Sequence, residues 1–195
     1  MPNYTKADVT YIIRPSAFEK MYRLAPSRRD RNWVLMLYLT GARPSELLKL
    51  TKEDVIIGED FIRFKLVTKK LGYKKGTFFV EKRNLKLNIK NEHRYRLTLR
   101  AYLNMFRPEQ HIFNFSDRTG SNIVERLSMR TLGVHLCPYN FRHSRLTILA
   151  EKGASREQLK AFKGARSDSS INQYIHAREV NYTSEFGMKD IGEEE

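Results

Sequence analysis

Two arginines and a tyrosine stand in short segments whose residue types suit attack on a phosphate ester. Arg43 lies in Thr40-Gly41-Ala42-Arg43-Pro44-Ser45-Glu46-Leu47, Arg142 in Pro138-Tyr139-Asn140-Phe141-Arg142-His143, and Tyr174 in Gln173-Tyr174-Ile175-His176. Attack on a phosphodiester builds negative charge on the nonbridging oxygens, and a guanidinium can hold two such oxygens while staying charged at every relevant pH. Two guanidiniums make an anion clamp, and preorganised positive charge of this kind typically lowers a barrier by about 3 kcal/mol per donor. A phenol with an ordinary pKa near 10 is a poor nucleophile at neutral pH, so it needs nearby positive charge or a base. What it offers in return is a phosphotyrosyl ester, which keeps the energy of the broken bond and lets a hydroxyl reverse the step. Taken singly, each residue has a plainer reading: a surface charge for the arginines, a buried helix aromatic for the tyrosine.

Hydrophobic periodicity says which elements must carry these residues. Apolar positions at helical spacing predict helices over 16–24, bearing Phe18, Met21, Tyr22 and Leu24, and over 28–39, with Trp33, Val34, Leu37 and Tyr38 on one side. Pro26 separates the two and Ser27 can cap the second, although Arg28 and Arg29 in its first turn oppose the helix dipole. A short helix follows Arg43. From 55 to 87 the period changes to strand-like alternation, with Phe61 to Val67 answered by Thr77 to Val80 across the basic, glycine-bearing turn 68–76. The remainder reads helical over 92–105, 121–132, 140–152, 156–163 and 169–178, punctuated by Gly133, Gly153 and Gly164. The expected fold is therefore α+β and mainly α, one domain over 1–195 with a small antiparallel sheet and an acidic end, Glu193 to Glu195.

Thirty-six Lys and Arg against 22 Asp and Glu leave a net charge of +14 and a pI near 9.9, which favours a polyanionic partner, nucleic acid first. The one cysteine, Cys137, cannot form an internal disulfide, and no Cys/His spacing suits zinc. No apolar run approaches the roughly 20 residues of a membrane span and no secretory signal opens the chain. The expectation is a cytoplasmic protein with no metal, no cofactor and no membrane partner.

The three segments together resemble the tyrosine recombinase, or phage integrase, family. Thr40 to Leu48 is similar to its first box, T-G-x-R-x-S-E-L, which delivers a first catalytic arginine; Pro138 to His143 is similar to P-H-x-L-R-H, which delivers the second; Lys163-Gly164-Ala165 through Tyr174 is similar to L-G-H followed by the nucleophile. Their order and spacing cover essentially the whole chain from Tyr38 onward. The resemblance implies the tyrosine recombinase catalytic fold and cleavage and rejoining of DNA through Tyr174, with Arg43 and Arg142 as clamp. It also implies a general-acid lysine in the β-hairpin, for which Lys69 is favoured and Lys70 next. Lys70, Lys74 and Lys75 would meet phosphates.

Two positions depart from the family pattern. Tyr139 stands where the second box has His, and Ala165 where the third has His. A tyrosine can donate a hydrogen bond but is a weak base, so Tyr139 would orient the phosphate or Tyr174, and Arg166 would replace the missing donor. His143 reads as a packing, hydrogen-bonding or DNA-contacting residue, and Glu46 as a group that pins a guanidinium or caps its helix. The variation at Tyr139 resembles integrases of archaeal viruses and plasmids. By the same resemblance the partners are double-stranded DNA sites bound by a homotetramer, residues 179–195 form a subunit-exchange segment, and the family's N-terminal DNA-clamping domain has no counterpart before Ser16. The rival readings are a type IB topoisomerase-like relaxing enzyme and a degenerate DNA-binding module that does not cut.

Overall fold

The computed structural model describes residues 10–68, 73–74, 77–78, 81–88, 93–164 and 168–175. The chain enters helix α1 (Pro15–Leu24) on a proline at the first helical position, where its missing N–H costs nothing. Helix α2 (Arg28–Thr40) starts at Ser27, whose side chain accepts from the Asp30 N–H at 3.0 Å. The sequence pattern suggested one buried side for α2. The structure instead buries every residue from Trp33 to Thr40, so α2 is the central helix around which the others pack. Of its two awkward first-turn charges, Arg29 is answered by buried Asp30 at 3.0 Å, which also pairs with the distant Arg126 at 3.4 Å.

After the short helix α3 (Pro44–Leu48), the chain forms strands β1 (Val55–Ile57), β2 (Phe61–Thr68), β3 (Tyr73–Lys74), β4 (Thr77–Phe78) and β5 (Glu81–Asn88). The sheet is antiparallel in the order β1-β2-β5. Here the expected pairing is corrected: β2 pairs with β5, while among the described residues Thr77 and Phe78 pair with Tyr73 and Lys74 in a separate two-stranded piece. The reason is register. Ile62 faces Leu87 and Phe64 faces Leu85, so the buried side of β2 meets a run with the same period-2 burial.

Helices α4 (His93–Leu103), α5 (Asp117–Leu132), α6 (Pro138–Glu151) and α7 (Arg156–Lys163) complete the fold, and residues 169–175 are helical. α5 begins four residues before the sequence expectation because Ser116 caps it at Thr119 N, and α6 begins two before, with Pro138 in its first turn. The main core gathers α1, α2, the sheet, α4 and α5 around Trp33 and Phe64. A smaller one, Leu146, Ala150, Leu159, Ile171 and Tyr174, joins α6, α7 and 169–175. Among the described residues no helix is long and apolar enough to cross a membrane.

One packing contact sets how α5 approaches α2. Trp33 donates its indole N–H to Gly120 O at 3.0 Å, and a Cβ on Gly120 would lie 2.6 Å from the indole Cζ2 and 3.1 Å from Phe115 Cε2. Gly120→Ala is expected to destabilise the fold by about 2 kcal/mol through this overlap. Urea unfolding should show a lower midpoint with an unchanged m-value.

Candidate active site

Arg43 and Arg142 reach one cavity from opposite ends of the chain. It has a volume of about 230 Å3 and is lined by Ala42, Arg43, Pro44, Asp117, Ser121, Cys137, Pro138, Tyr139 and Arg142. The first arginine is delivered by a helix stop. Gly41 ends α2 in the left-handed region, φ +53°, with its N–H on Leu37 O at 2.9 Å, and a Cβ there would lie 3.0 Å from the Phe162 ring. A side chain at position 41 would thus be strained twice. The chain then turns at once into α3, and Glu46 in its first turn accepts from the Arg43 N–H and from Arg43 Nη1, both at 2.9 Å. Glu46 therefore both caps its helix and pins a guanidinium.

Arg142 is only 4% exposed, on the second turn of α6. Its Nη1 donates to Gly41 O at 2.7 Å and its Nη2 to Lys163 O at 2.5 Å. Two helix C-termini, those of α2 and α7, thus turn carbonyl oxygens toward it, the end where a helix dipole favours a cation. Burial, with Arg43 and Arg83 nearby, lowers its pKa to about 10. It remains charged at neutral pH, and any anion entering the cavity relieves the repulsion.

Tyr174 does not line the cavity. Its phenol is 1% exposed, packed on Leu146, Ala150, Leu159 and Ile171, with the Lys163 ammonium 5.2 Å from the ring centre. Its hydroxyl lies 3.4 Å from His143 Nδ1 and also interacts with Tyr139, which is 49% exposed at the cavity wall. Burial, then Tyr139, pushes the phenol up to about 12, against the opposing pull of Gln173 and Arg142. Burial and Lys163 push the His143 imidazole below its ordinary value, which favours the neutral ring.

The structure thus gathers Arg43, Tyr139 and Arg142 at one cavity, and sets His143 against the Tyr174 phenol. Lys74 lies on β3. Lys69, Lys70, Lys75, Ala165, Arg166 and the segment 179–195 lie outside the described residues. Sequence reasoning did not single out Arg83, whose Nη2 meets Glu46 Oε2 at 2.8 Å and whose Nη1 donates to Phe162 O. The signal was present: Arg83 shares the buried face of β5 with Leu85 and Leu87, where an unpartnered arginine would be costly. Cys137 was noted only as a lone thiol, yet it precedes α6 at the cavity wall.

Solved recombinases share this fold. XerA recombinase superposes with a TM-score of 0.70 at 19% identity, covering 90% of this chain and 65% of that one. XerH site-specific recombinase bound to difH substrate in a pre-cleavage complex gives 0.67 at 18%, covering 90% and 53%. The Tn1549 transposon integrase in complex with transposon right end DNA gives 0.62 at 13%, covering 96% and 69%. A mainly helical domain with a three-stranded antiparallel sheet, folded in this way, is a tyrosine recombinase catalytic fold. The chain belongs to the phage integrase family, whose model matches residues 13–180. Among curated relatives, the tyrosine recombinase XerC of Staphylococcus aureus strain MSSA476 is 28% identical over 162 residues, 77% of this chain and 49% of its own length. The chain spans about half the length of the curated relatives it matches.

Proposed function

We propose that this chain is the catalytic domain of a site-specific DNA recombinase, an integrase that cleaves and rejoins double-stranded DNA through Tyr174. The single observation that carries the reading is the convergence of Arg43 and Arg142 on one cavity whose wall residue, Tyr139, interacts with the Tyr174 hydroxyl. In the forward step the Tyr174 oxygen attacks the scissile phosphorus, the bond to the 5′ oxygen breaks, and a 3′-phosphotyrosyl ester and a free 5′ hydroxyl result. Arg43 and Arg142 hold the nonbridging oxygens as their charge grows. His143 takes the phenolic proton, Tyr139 orients the phosphate or the phenol, and Lys69, with Lys70 as the alternative, protonates the leaving oxygen. Lys74, Lys75 and Arg166 contact the DNA backbone. The reverse step needs only a 5′ hydroxyl, so as written it draws on no metal and no ATP. With Tyr174 enclosed, attack also requires the 169–175 helix to shift as DNA is engaged.

The same reading makes the protein an intracellular one that acts on two DNA sites as a homotetramer, with residues 179–195 docking on a neighbouring subunit. Names among the relatives and solved structures support the DNA partner: XerH is seen bound to difH substrate, and the Tn1549 integrase to transposon end DNA. The test is covalent trapping. The protein is incubated with a pool of nicked duplexes of randomised sequence, so that cleavage releases a short fragment bearing the free 5′ hydroxyl and strands the enzyme on DNA. The expected result is a denaturant-resistant adduct whose DNA converges on one site and whose modified peptide contains Tyr174. Absence of any adduct across the pool refutes the reading.

The proton route makes a prediction of its own. His143 is a base only when neutral, and its pKa is held below 6.5, so single-turnover cleavage should fall as the pH drops below that point and level off above it. In His143→Gln no acceptor with such a pKa faces the phenol, and the rate should keep climbing with pH toward the phenol's own value of about 12. Identical profiles for the two proteins would remove His143 from the reaction.

A further inference from the structure

We propose that Arg83 is a positioning residue for the phosphate clamp, locking Glu46 against Arg43 and tying down the end of α7 on which Arg142 rests. The proposal rests on the reading of Arg43 and Arg142 given above. Arg83 comes from the sheet, Arg43 from the start of α3 and Arg142 from α6, so nothing in the local backbone obliges these three to keep a fixed geometry. Glu46 links two of them. It is 1% exposed; Oε1 accepts from Arg43 Nη1 at 2.9 Å, and Oε2 accepts both the Arg43 N–H at 2.9 Å and Arg83 Nη2 at 2.8 Å. The two Arg43 bonds come from the same short turn as Glu46 and can move with it; the Arg83 bond ties that turn to β5, so the carboxylate and the guanidinium it holds are fixed relative to the sheet.

The other half of the Arg83 fork acts on Arg142. Its Nη1 donates to Phe162 O, and Arg142 Nη2 donates to the neighbouring carbonyl, Lys163 O, at 2.5 Å. One guanidinium therefore fixes the last turn of α7 from the sheet side while Arg142 grips it from the α6 side. Gly164 makes the approach possible. It closes α7 at φ +61°, and a Cβ there would lie 3.0 Å from Arg83 Cδ. The positive φ and this close approach together give a physical reason for a glycine at that place: a larger residue would be strained there and would crowd Arg83.

The energetics separate positioning from mere structural support. Arg83 Nε is buried without a hydrogen bond among the described residues, so this arginine occupies a core-facing position at a cost that an apolar side chain would not carry. Three guanidiniums also crowd one carboxylate, and both Arg43 and Arg83 depress the Arg142 pKa. A cluster held with surplus positive charge is prepared for a phosphate whose own negative charge rises in the transition state. Fold stability alone would not select that arrangement.

The test uses a duplex recovered from the nicked pool, with Arg83→Met and Arg83→Lys. Arg83→Met is expected to form the covalent complex about 100-fold more slowly at saturating DNA, with the half-saturating DNA concentration within about threefold of wild type. Arg83→Lys, which keeps a cation for one acceptor but cannot bridge two, should fall about three- to tenfold below wild type. A wild-type rate in Arg83→Met overturns the proposal, as does a change confined to half-saturation. Should Arg83→Met fail to fold by circular dichroism, Arg83→Lys decides: a rate within twofold of wild type overturns it. A second readout does not depend on cleavage. The Arg43 Nε–H resonance in nitrogen-15 NMR should be sharp in wild type and broadened in Arg83→Lys, and an unchanged resonance overturns the proposal even if the wild-type chain itself cuts no DNA.

Discussion

Arg142→Lys should retain the fold and form the covalent complex about 100- to 1,000-fold more slowly at saturating DNA, the loss associated with removing one well-aimed donor from a developing oxyanion. The reason lies in the shape of the group. Arg142 sends one Nη to Gly41 O and the other to Lys163 O, and this planar fork fixes the guanidinium at the cavity. An ammonium is a point charge on a flexible stem and cannot span both carbonyls while facing a phosphate. A lysine at a 4% exposed site beside Arg43 and Arg83 would also tend to lose its proton, because burial and like charge both disfavour the cation. Rapid-quench measurement of the adduct, alongside a thermal melt, separates the chemical loss from any loss of fold. Wild-type cleavage in this variant would show that the second guanidinium does not act on the phosphate.

Tyr174→Phe should abolish the adduct altogether while leaving the domain nearly as stable as wild type. The ring fills the small core of Leu146, Ala150, Leu159 and Ile171, and phenylalanine fills it equally well. Only the hydroxyl is lost, together with its 3.4 Å contact to His143 and its interaction with Tyr139. Such a deletion changes stability by about 1 kcal/mol at most, whereas it removes the oxygen proposed to carry the ester. Affinity for the recovered duplex, measured by fluorescence anisotropy at fixed salt, should stay within about twofold of wild type, because the backbone contacts that dominate binding come from Lys and Arg. An adduct persisting in this variant would move the nucleophile elsewhere.

The difference between the two variants reflects where their side chains sit. Arg142 could be read from its segment as a phosphate ligand, but nothing in that segment says that it bridges the ends of α2 and α7. Tyr174 could be read as a nucleophile, and equally as a buried aromatic; in the structure it is enclosed like the second, with its hydroxyl 3.4 Å from a ring nitrogen of His143. His143 was legible as a packing, hydrogen-bonding or DNA-contacting residue, not as the partner of Tyr174. Its pairing with a phenol 31 residues away depends on α6 and the 169–175 helix packing across one small core.

By itself the sequence determined the element types, the helical stops at Gly133 and Gly164, the mainly α architecture with its small sheet, and the family membership. These follow from local chemistry: apolar periodicity, capping side chains and residues that can take a positive φ act within a few positions of one another. Tertiary structure decided the β2 partner, the all-round burial of α2, and the Arg43–Glu46–Arg83 arrangement with Arg142 across the α7 terminus. Those outcomes depend on register and on contacts between residues tens of positions apart, where many pairings satisfy the same local pattern and only simultaneous burial of all the faces selects one.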